Sequence, residues 1–250
     1  MSRARQTFRS GRGGRLSISC NDAEMPWHPL ERSALVQALR EAGPGRPTLC
    51  EGWSTQHLAA HVVLRENAPL LAAGIAVPPL AARTERAVQT LGDLSADPAG
   101  YARLVTQLAE GPPRWQPMHW AGDPANLLEL FVHTEDVRRG GPEGSDVPAR
   151  TRTPEHADAL WHGLSRAARL FLRPAPVPVR LVDDGQEIRV ATARQRSAGL
   201  GAVTVRGPLD ELVLHTFSRD VAVHVDVQGP PAAVEAYLSG RGSRPGADGP

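Results

Sequence analysis

Apolar residues recur at helical spacing through the first 140 residues, and at two-residue spacing in short stretches beyond residue 175. The first run, Leu30, Ala34, Leu35, Ala38 and Leu39, predicts a helix from Leu30 to Ala42, stopped by Gly43-Pro44-Gly45. Ser54 is a suitable N-cap for a second helix, Thr55 to Asn67. Further helices are expected at about Leu80 to Leu91, at Pro98 to Glu110 and at Pro124 to Arg139. Asp123 is expected to cap the last of these, and Gly140-Gly141-Pro142 to end it. Pro154 opens another, to about Leu172.

Then the period changes. Val177 to Val182 alternates, Asp183-Asp184-Gly185 reads as a turn, and Gln186 to Thr192 as a returning strand. Ala202 to Arg206 and Ala222 to Val227 are further β-like stretches; Pro208 to Phe217 and Pro230 to Leu238 are helical. The order predicts an α+β chain, with helices over residues 25–150 and a small α/β part over 151–240. Residues 1–24 are expected to be a disordered arm, or to precede a true start at Met25. Residues 241–250 are expected to be a disordered tail.

Composition narrows the function classes. No apolar run reaches the roughly 18–20 residues of a membrane helix, so a soluble protein is expected. All 28 basic residues are Arg; without lysine, Schiff-base chemistry and a P-loop lysine are excluded. Residues 1–24 carry a charge of +3 within a whole-chain charge of +1. The remaining body is therefore near neutral, which gives no footprint for nucleic acid. Two cysteines, Cys20 and Cys50, make no disulfide framework, and a reducing cytoplasm is the default.

Histidine spacing supplies the candidate chemistry. His57 and His61 lie at i and i+4 on one helix face, Glu129 and His133 do the same on another, and Asp136 shares that second face. Two such helices facing one core could offer three or four N and O ligands to a divalent ion, zinc being a natural fit. A three-ligand His2Glu site would leave a position open for water or substrate. Spacing alone leaves the plain alternatives standing: solvated faces, or hydrogen-bonded core histidines.

Two longer motifs resemble a known family. Trp27-His28-Pro29-Leu30-Glu31-Arg32 is followed by Pro47-Thr48-Leu49-Cys50-Glu51-Gly52-Trp53, which leads into His57-Leu58-Ala59-Ala60-His61. These, with Glu129-Leu130-Phe131-Val132-His133-Thr134-Glu135-Asp136-Val137-Arg138-Arg139, are similar to an actinobacterial metal-binding family. That family belongs with the mycothiol-dependent maleylpyruvate isomerase-like proteins, in the DinB-type superfamily of metal-binding four-helix bundles. The resemblance spans about residues 25–240. It implies a DinB-like four-helix bundle followed by the isomerase's smaller domain, with His61, Glu129 and His133 as metal ligands. His57 departs from the acidic residue usual in relatives, and is either an extra ligand, an outer partner or a partly exposed helix residue. Thr134 stands where relatives often carry a second histidine.

Asp136 is expected to orient a ligand imidazole. Trp115, Trp120 and Arg65 are candidates for a substrate cleft, set against plain packing and a surface Arg65–Glu66 pair. Cys50 is expected to be a small buried hydrophobe, and Trp27 and Trp53 to pack the bundle. The implied function is a thiol-dependent isomerase or transferase acting on a small molecule, with mycothiol as cofactor. The other class in view is a non-catalytic metal-dependent binding or structural protein. The sequence names no separate general base and no oligomeric state.

Overall fold

A computed structural model describes residues 26–68, 78–142, 144–190 and 199–242. The expected arm, the start at Met25 and residues 243–250 of the expected tail lie outside them. In chain order the helices are α1 (His28–Ala42), α2 (Thr55–Asn67), α3 (Pro78–Leu94), α4 (Pro98–Glu110), the one-turn α5 (Pro117–Trp120), α6 (Gly122–Arg138) and α7 (Pro154–Phe171). Strands β1 (Val179–Asp183), β2 (Gln186–Val190) and β3 (Val203–Arg206) follow, then α8 (Leu209–Thr216), β4 (Asp226–Gln228) and α9 (Pro231–Gly242). The chain is α+β, as expected: a helical bundle precedes a small four-stranded sheet with helices.

Two apolar cores account for the architecture. Leu35 and Leu39 of α1, Leu58 and Val62 of α2, Leu104 and Leu108 of α4, and Leu130 and Val137 of α6 fill the bundle. The second core joins Leu160 and Leu164 of α7 to Leu181, Val205, Leu212 and Tyr237 from the sheet, α8 and α9. Leu127, Phe131 and Val132 of α6 belong to this second core. Helix α6 is therefore buried on both sides, as its apolar residues all round require. The sheet runs β2-β1-β3-β4, with β1–β2 and β3–β4 antiparallel and β1–β3 parallel. Its first hairpin turns at Asp184-Gly185, where Gly185 has φ 101°.

Between the cores lies a buried ion network. Glu31 of α1 takes Arg150 at 2.7 Å and faces His156 at 3.1 Å. Glu135 accepts from Arg138, Arg139 and Arg150, and Arg139 reaches Glu211 of α8 at 3.0 Å. Glu31, Glu135 and Arg139 are wholly buried, so each charge needs the partners it has.

Several expectations need correcting. Asp123 does not cap its own helix: its carboxylate accepts from the Trp27 and His28 N–H groups at 2.8 Å and so caps α1. Trp27 packs against the second core, stacked on His156, rather than in the bundle. The expected strand at Ala222 begins as a 3-10 turn, Asp220–Ala222, and pairs only from Asp226. The Ala222 carbonyl is taken by Arg139 instead of by a neighbouring strand. Helix α9 runs through Arg241, whose guanidinium is fixed by Asp220 and the His215 carbonyl, so the expected tail starts in ordered helix. No helix among the described residues is long and apolar enough to cross a membrane.

Candidate metal centre

Ser54 starts α2 with an extended backbone, and its N–H donates to His57 Nδ1 at 3.2 Å. His57 Nε2 meets Asp93 of α3 at 3.2 Å. The imidazole thus does what a Glu at N3 does in a capping box, satisfying an N–H at the helix start. One turn later His61 faces inward, 2 % exposed, with its ring 5.0 Å from Trp53. The i,i+4 pair splits: one imidazole is a cap, the other is core.

His61 meets Glu129 and His133 across the bundle. His61 Nε2 lies 3.4 Å from Glu129 Oε1, and His133 Nε2 lies 3.3 Å from the same oxygen. One donor atom from each of the three falls within 4.8 Å of the others. The two distances to Glu129 Oε1 are long for hydrogen bonds, which cluster at about 2.7–3.2 Å. They match the edge of a tetrahedron: ligands at about 2.0–2.1 Å from a zinc-sized ion stand roughly 3.3–3.4 Å apart. Two neutral imidazole nitrogens and one carboxylate are also the donor types that such ions take. The residues fit a divalent ion.

The electrostatics favour two of the three ligands and oppose the third. Burial alone would raise the Glu129 carboxyl, but Arg65 at 3.2 Å and the two imidazoles hold it well below the usual carboxylate range. Burial pushes His61 down, toward the neutral form a ligand needs. His133 goes the other way: against its burial, Asp136, Cys50 and Glu129 hold its pKa well above the usual imidazole value. Its Nδ1 lies 2.9 Å from Asp136 Oδ2, where a carboxylate can only accept, so Nδ1 keeps its proton and Nε2, once it has lost its own, is the nitrogen that could take a metal.

A second cluster of donor atoms, Cys50, His133 and Asp136, is as tight. There, however, Arg219 already supplies the positive charge: Nε donates to Asp136 Oδ1 and Nη2 to Oδ2, both at 2.9 Å. Nη2 also points at Cys50 Sγ, 3.3 Å away, while the thiol donates to Asp136 at 3.2 Å. A metal ion in that position would sit against a fixed guanidinium. Burial, with Asp136 adding to it, raises the Cys50 pKa, so the thiol stays protonated. Cys50 is buried as expected, and it also serves as a donor.

The remaining candidates fall at the rim. Arg65 pairs with Glu129 and donates to Asn126 and to the Ala125 carbonyl. It is not the surface partner of Glu66, which is buried against Arg32. Met118 of α5 lies 3.8 Å from Arg65, and Gln116 donates to the Asn67 carbonyl, so α5 covers this end of α2. Trp115 and Trp120 are 77 % and 73 % exposed, and Trp120 is tied back to the Arg114 carbonyl of its own loop. The structure leaves these two rings in solvent, apart from the ligand atoms. Arg219 carries no signal in its own sequence neighbourhood, since its partner Asp136 is 83 positions away.

Residues 31–138, which contain all three candidate ligands, match the family model of the mycothiol maleylpyruvate isomerase N-terminal domain. Among solved structures, the chain is similar to the mycothiol-dependent maleylpyruvate isomerase, at 18 % identity, with 82 % of this chain and 93 % of that chain covered and a TM-score of 0.44. A histidine-to-alanine mutant of an enzyme of that name aligns over the same shares at 18 % identity, with a TM-score of 0.40. No curated protein matches the chain. The likeness is thus carried by the helical part, residues 31–138, over which the chain is similar to the mycothiol maleylpyruvate isomerase N-terminal domain.

Proposed function

We propose that this chain binds one divalent metal ion, zinc by donor type, through His61, Glu129 and His133, and serves as a mycothiol-dependent isomerase or transferase for a small molecule. Two imidazole nitrogens at tetrahedral edge distance from one carboxylate oxygen, with all three donors within 4.8 Å of one another, carry the metal reading. A bound ion would supply Lewis acidity, lowering the pKa of a coordinated thiol or water. Mycothiol comes from the family's own description, and a cytoplasmic setting suits a thiol cofactor and a reduced Cys50.

The protein's residues have separable tasks in this reading. Asp136 fixes the His133 tautomer, so that Nε2 faces the metal position. Arg65 keeps Glu129 ionised and aimed inward. Trp53 walls the site beside His61. Three protein donors leave a coordination position for the thiol or substrate. Arg65 and Met118 stand at that rim, with exposed Trp115 and Trp120 on the same loop as a candidate apolar surface for the substrate.

The test is metal content by elemental mass spectrometry on the wild type and on His61→Ala, Glu129→Ala and His133→Ala. About one equivalent in the wild type, lost from each variant, supports the site. A folded wild type that stays empty after incubation with zinc, nickel or iron refutes it. Thiol chemistry is then read by adding mycothiol to the cobalt-loaded protein. A sulfur-to-cobalt charge-transfer band supports the cofactor, whereas an unchanged spectrum favours a non-catalytic metal-dependent binding role.

A further inference from the structure

Asp136 is wholly buried, and its carboxylate has three partners: His133 of its own helix, Cys50 of the loop before α2, and Arg219 from beyond α8. Only Arg219 brings a full positive charge in a two-pronged geometry, the pairing that fixes a carboxylate's plane as well as its position. That plane decides where Oδ2 sits, and so how the His133 ring is held.

The turn that delivers Arg219 is built for a fixed aim. Helix α8 ends with Ser218 N–H bonded to the His215 carbonyl and Arg219 N–H to the Leu214 carbonyl, both at 3.0 Å. This is the Schellman ending, whose left-handed position is usually glycine. Here it is Ser218, at φ 63°, the only non-glycine residue with positive φ among those described. A side-chain-bearing residue holds that conformation only where its surroundings enforce it.

The surroundings come from three helices. His215 of α8 lies 2.6 Å from Asp220 through Nδ1 and 2.8 Å from the Tyr237 hydroxyl of α9 through Nε2. Arg241 of α9 binds Asp220 and the His215 carbonyl. Arg139, the C-cap residue just after α6, donates to the Ala222 carbonyl at 2.9 Å. Arg219 itself is 6 % exposed and donates to the Phe217 carbonyl as well. The turn is locked before Arg219 reaches across to the bundle.

We propose that Arg219, supplied by the C-terminal α/β unit, is a positioning residue for the metal centre, acting through Asp136 on His133. This rests on the metal reading above and adds that the second unit completes a site whose ligands all lie in the first. Orienting partners of a ligand imidazole change metal affinity by about 10–100-fold. Losing Arg219 is expected to act within that range without removing any ligand.

The experiment measures cobalt(II) affinity, by competition with a chelator, and the cobalt d–d spectrum for the wild type, Arg219→Met, Asp136→Asn and the double variant, with circular dichroism as the fold control. Arg219→Met is expected to weaken binding at least about tenfold and to change the spectrum. If Arg219 works through Asp136, the double variant is no weaker than Asp136→Asn alone. Effects that multiply would overturn the proposal, as would wild-type affinity and spectrum in Arg219→Met. Should Arg219→Met fail to fold, Arg219→Lys decides the matter: it keeps the charge and loses the fork, so weakened binding supports the proposal and wild-type affinity overturns it. A wild type that takes up no cobalt removes the metal reading together with this one. Uptake by the wild type and by Arg219→Met alike removes only this one.

Discussion

Gly140 lies under Pro47 so closely that a Cβ on Gly140 would fall 2.2 Å from the Pro47 carbonyl oxygen and 2.5 Å from Thr48 Cα. Both obstacles are backbone, so neither can swing aside. The contact seats the loop before α2 on the end of α6, where Leu49 N–H donates to the Asp136 carbonyl and Cys50 reaches the Asp136 carboxylate.

Gly140→Ala should therefore lift that loop. Overpacking of this kind costs about 1–3 kcal/mol, visible as a lower denaturation midpoint with an unchanged m-value. Metal affinity should weaken in the same variant, because two of the contacts around Asp136 come from the displaced loop. A Gly140→Ala protein with wild-type stability would show that the loop is free to move.

His57 should prove structural. His57→Ala removes an imidazole that accepts the Ser54 N–H and meets Asp93, at a cost of about 0.5–2 kcal/mol, the range for losing a helix cap. The metal content of His57→Ala should stay at the wild-type value. Loss of metal together with retained stability would instead make His57 a ligand. Gly92→Ala should resemble His57→Ala, because a Cβ there would lie 2.2 Å from the His57 ring.

Metal uptake should release a proton. In the metal-free protein His133 binds its proton more tightly than an ordinary imidazole, and a ligand nitrogen must be unprotonated. Affinity should then rise with pH up to the raised His133 value and fall as pH drops below it. Calorimetry in buffers of different ionisation enthalpy measures the released proton directly. A binding enthalpy independent of buffer, with a flat affinity profile, would contradict this.

Tyr101 sets an alkaline limit on stability. Burial pushes its phenol up to about 12, and its hydroxyl donates to the Leu39 carbonyl at 2.7 Å. In the unfolded chain the phenol titrates near 10. The folded state thus holds the proton over that window: the contribution is complete below about pH 10 and is lost as pH rises toward about 12. Tyr101→Phe should be less stable at neutral pH by about 0.5–1.5 kcal/mol, since it removes one of the two hydrogen bonds that the Leu39 carbonyl accepts, the Gly43 N–H at 3.0 Å keeping the other, and its stability should fall less steeply across this range. Urea titrations at a series of alkaline pH values measure both effects.

Breaking the buried network should cost more than either cap or hydroxyl. Glu135→Ala leaves Arg139, wholly buried, with Glu211 as its remaining carboxylate partner. Removing one partner from such a cluster costs about 3–5 kcal/mol. Because the network joins α1 and α6 to α8, the loss should appear in one cooperative unfolding transition. A separate early transition of the C-terminal unit would mean that the two cores are not coupled through these ions.

Much of this was legible in the sequence because the governing interactions are local. The 3.6-residue period placed α2 and α4 to the residue and the other long helices to within a few positions, and Ser54 was found as a cap because capping spans three residues. The first hairpin was visible from its alternation and from Asp184-Gly185. The pairing of Glu129 with His133, and of His133 with Asp136, follows from helical spacing alone.

What local pattern could not decide is which of two equivalent groups faces inward, and what lies across from it. His57 and His61 look alike along the chain; only the packing of α3 against the start of α2 makes one a cap, and only the approach of α6 makes the other a neighbour of Glu129. Asp123 precedes its own helix by every local sign, yet it caps α1 because the two helix starts are brought side by side. Arg219 and Asp136 meet over 83 positions of chain, through a turn held by α6, α8 and α9. Backbone periodicity is a short-range property and is written residue by residue. The partners of a buried charge are set by which elements the two cores bring together, and that was decided only when the chain closed on itself.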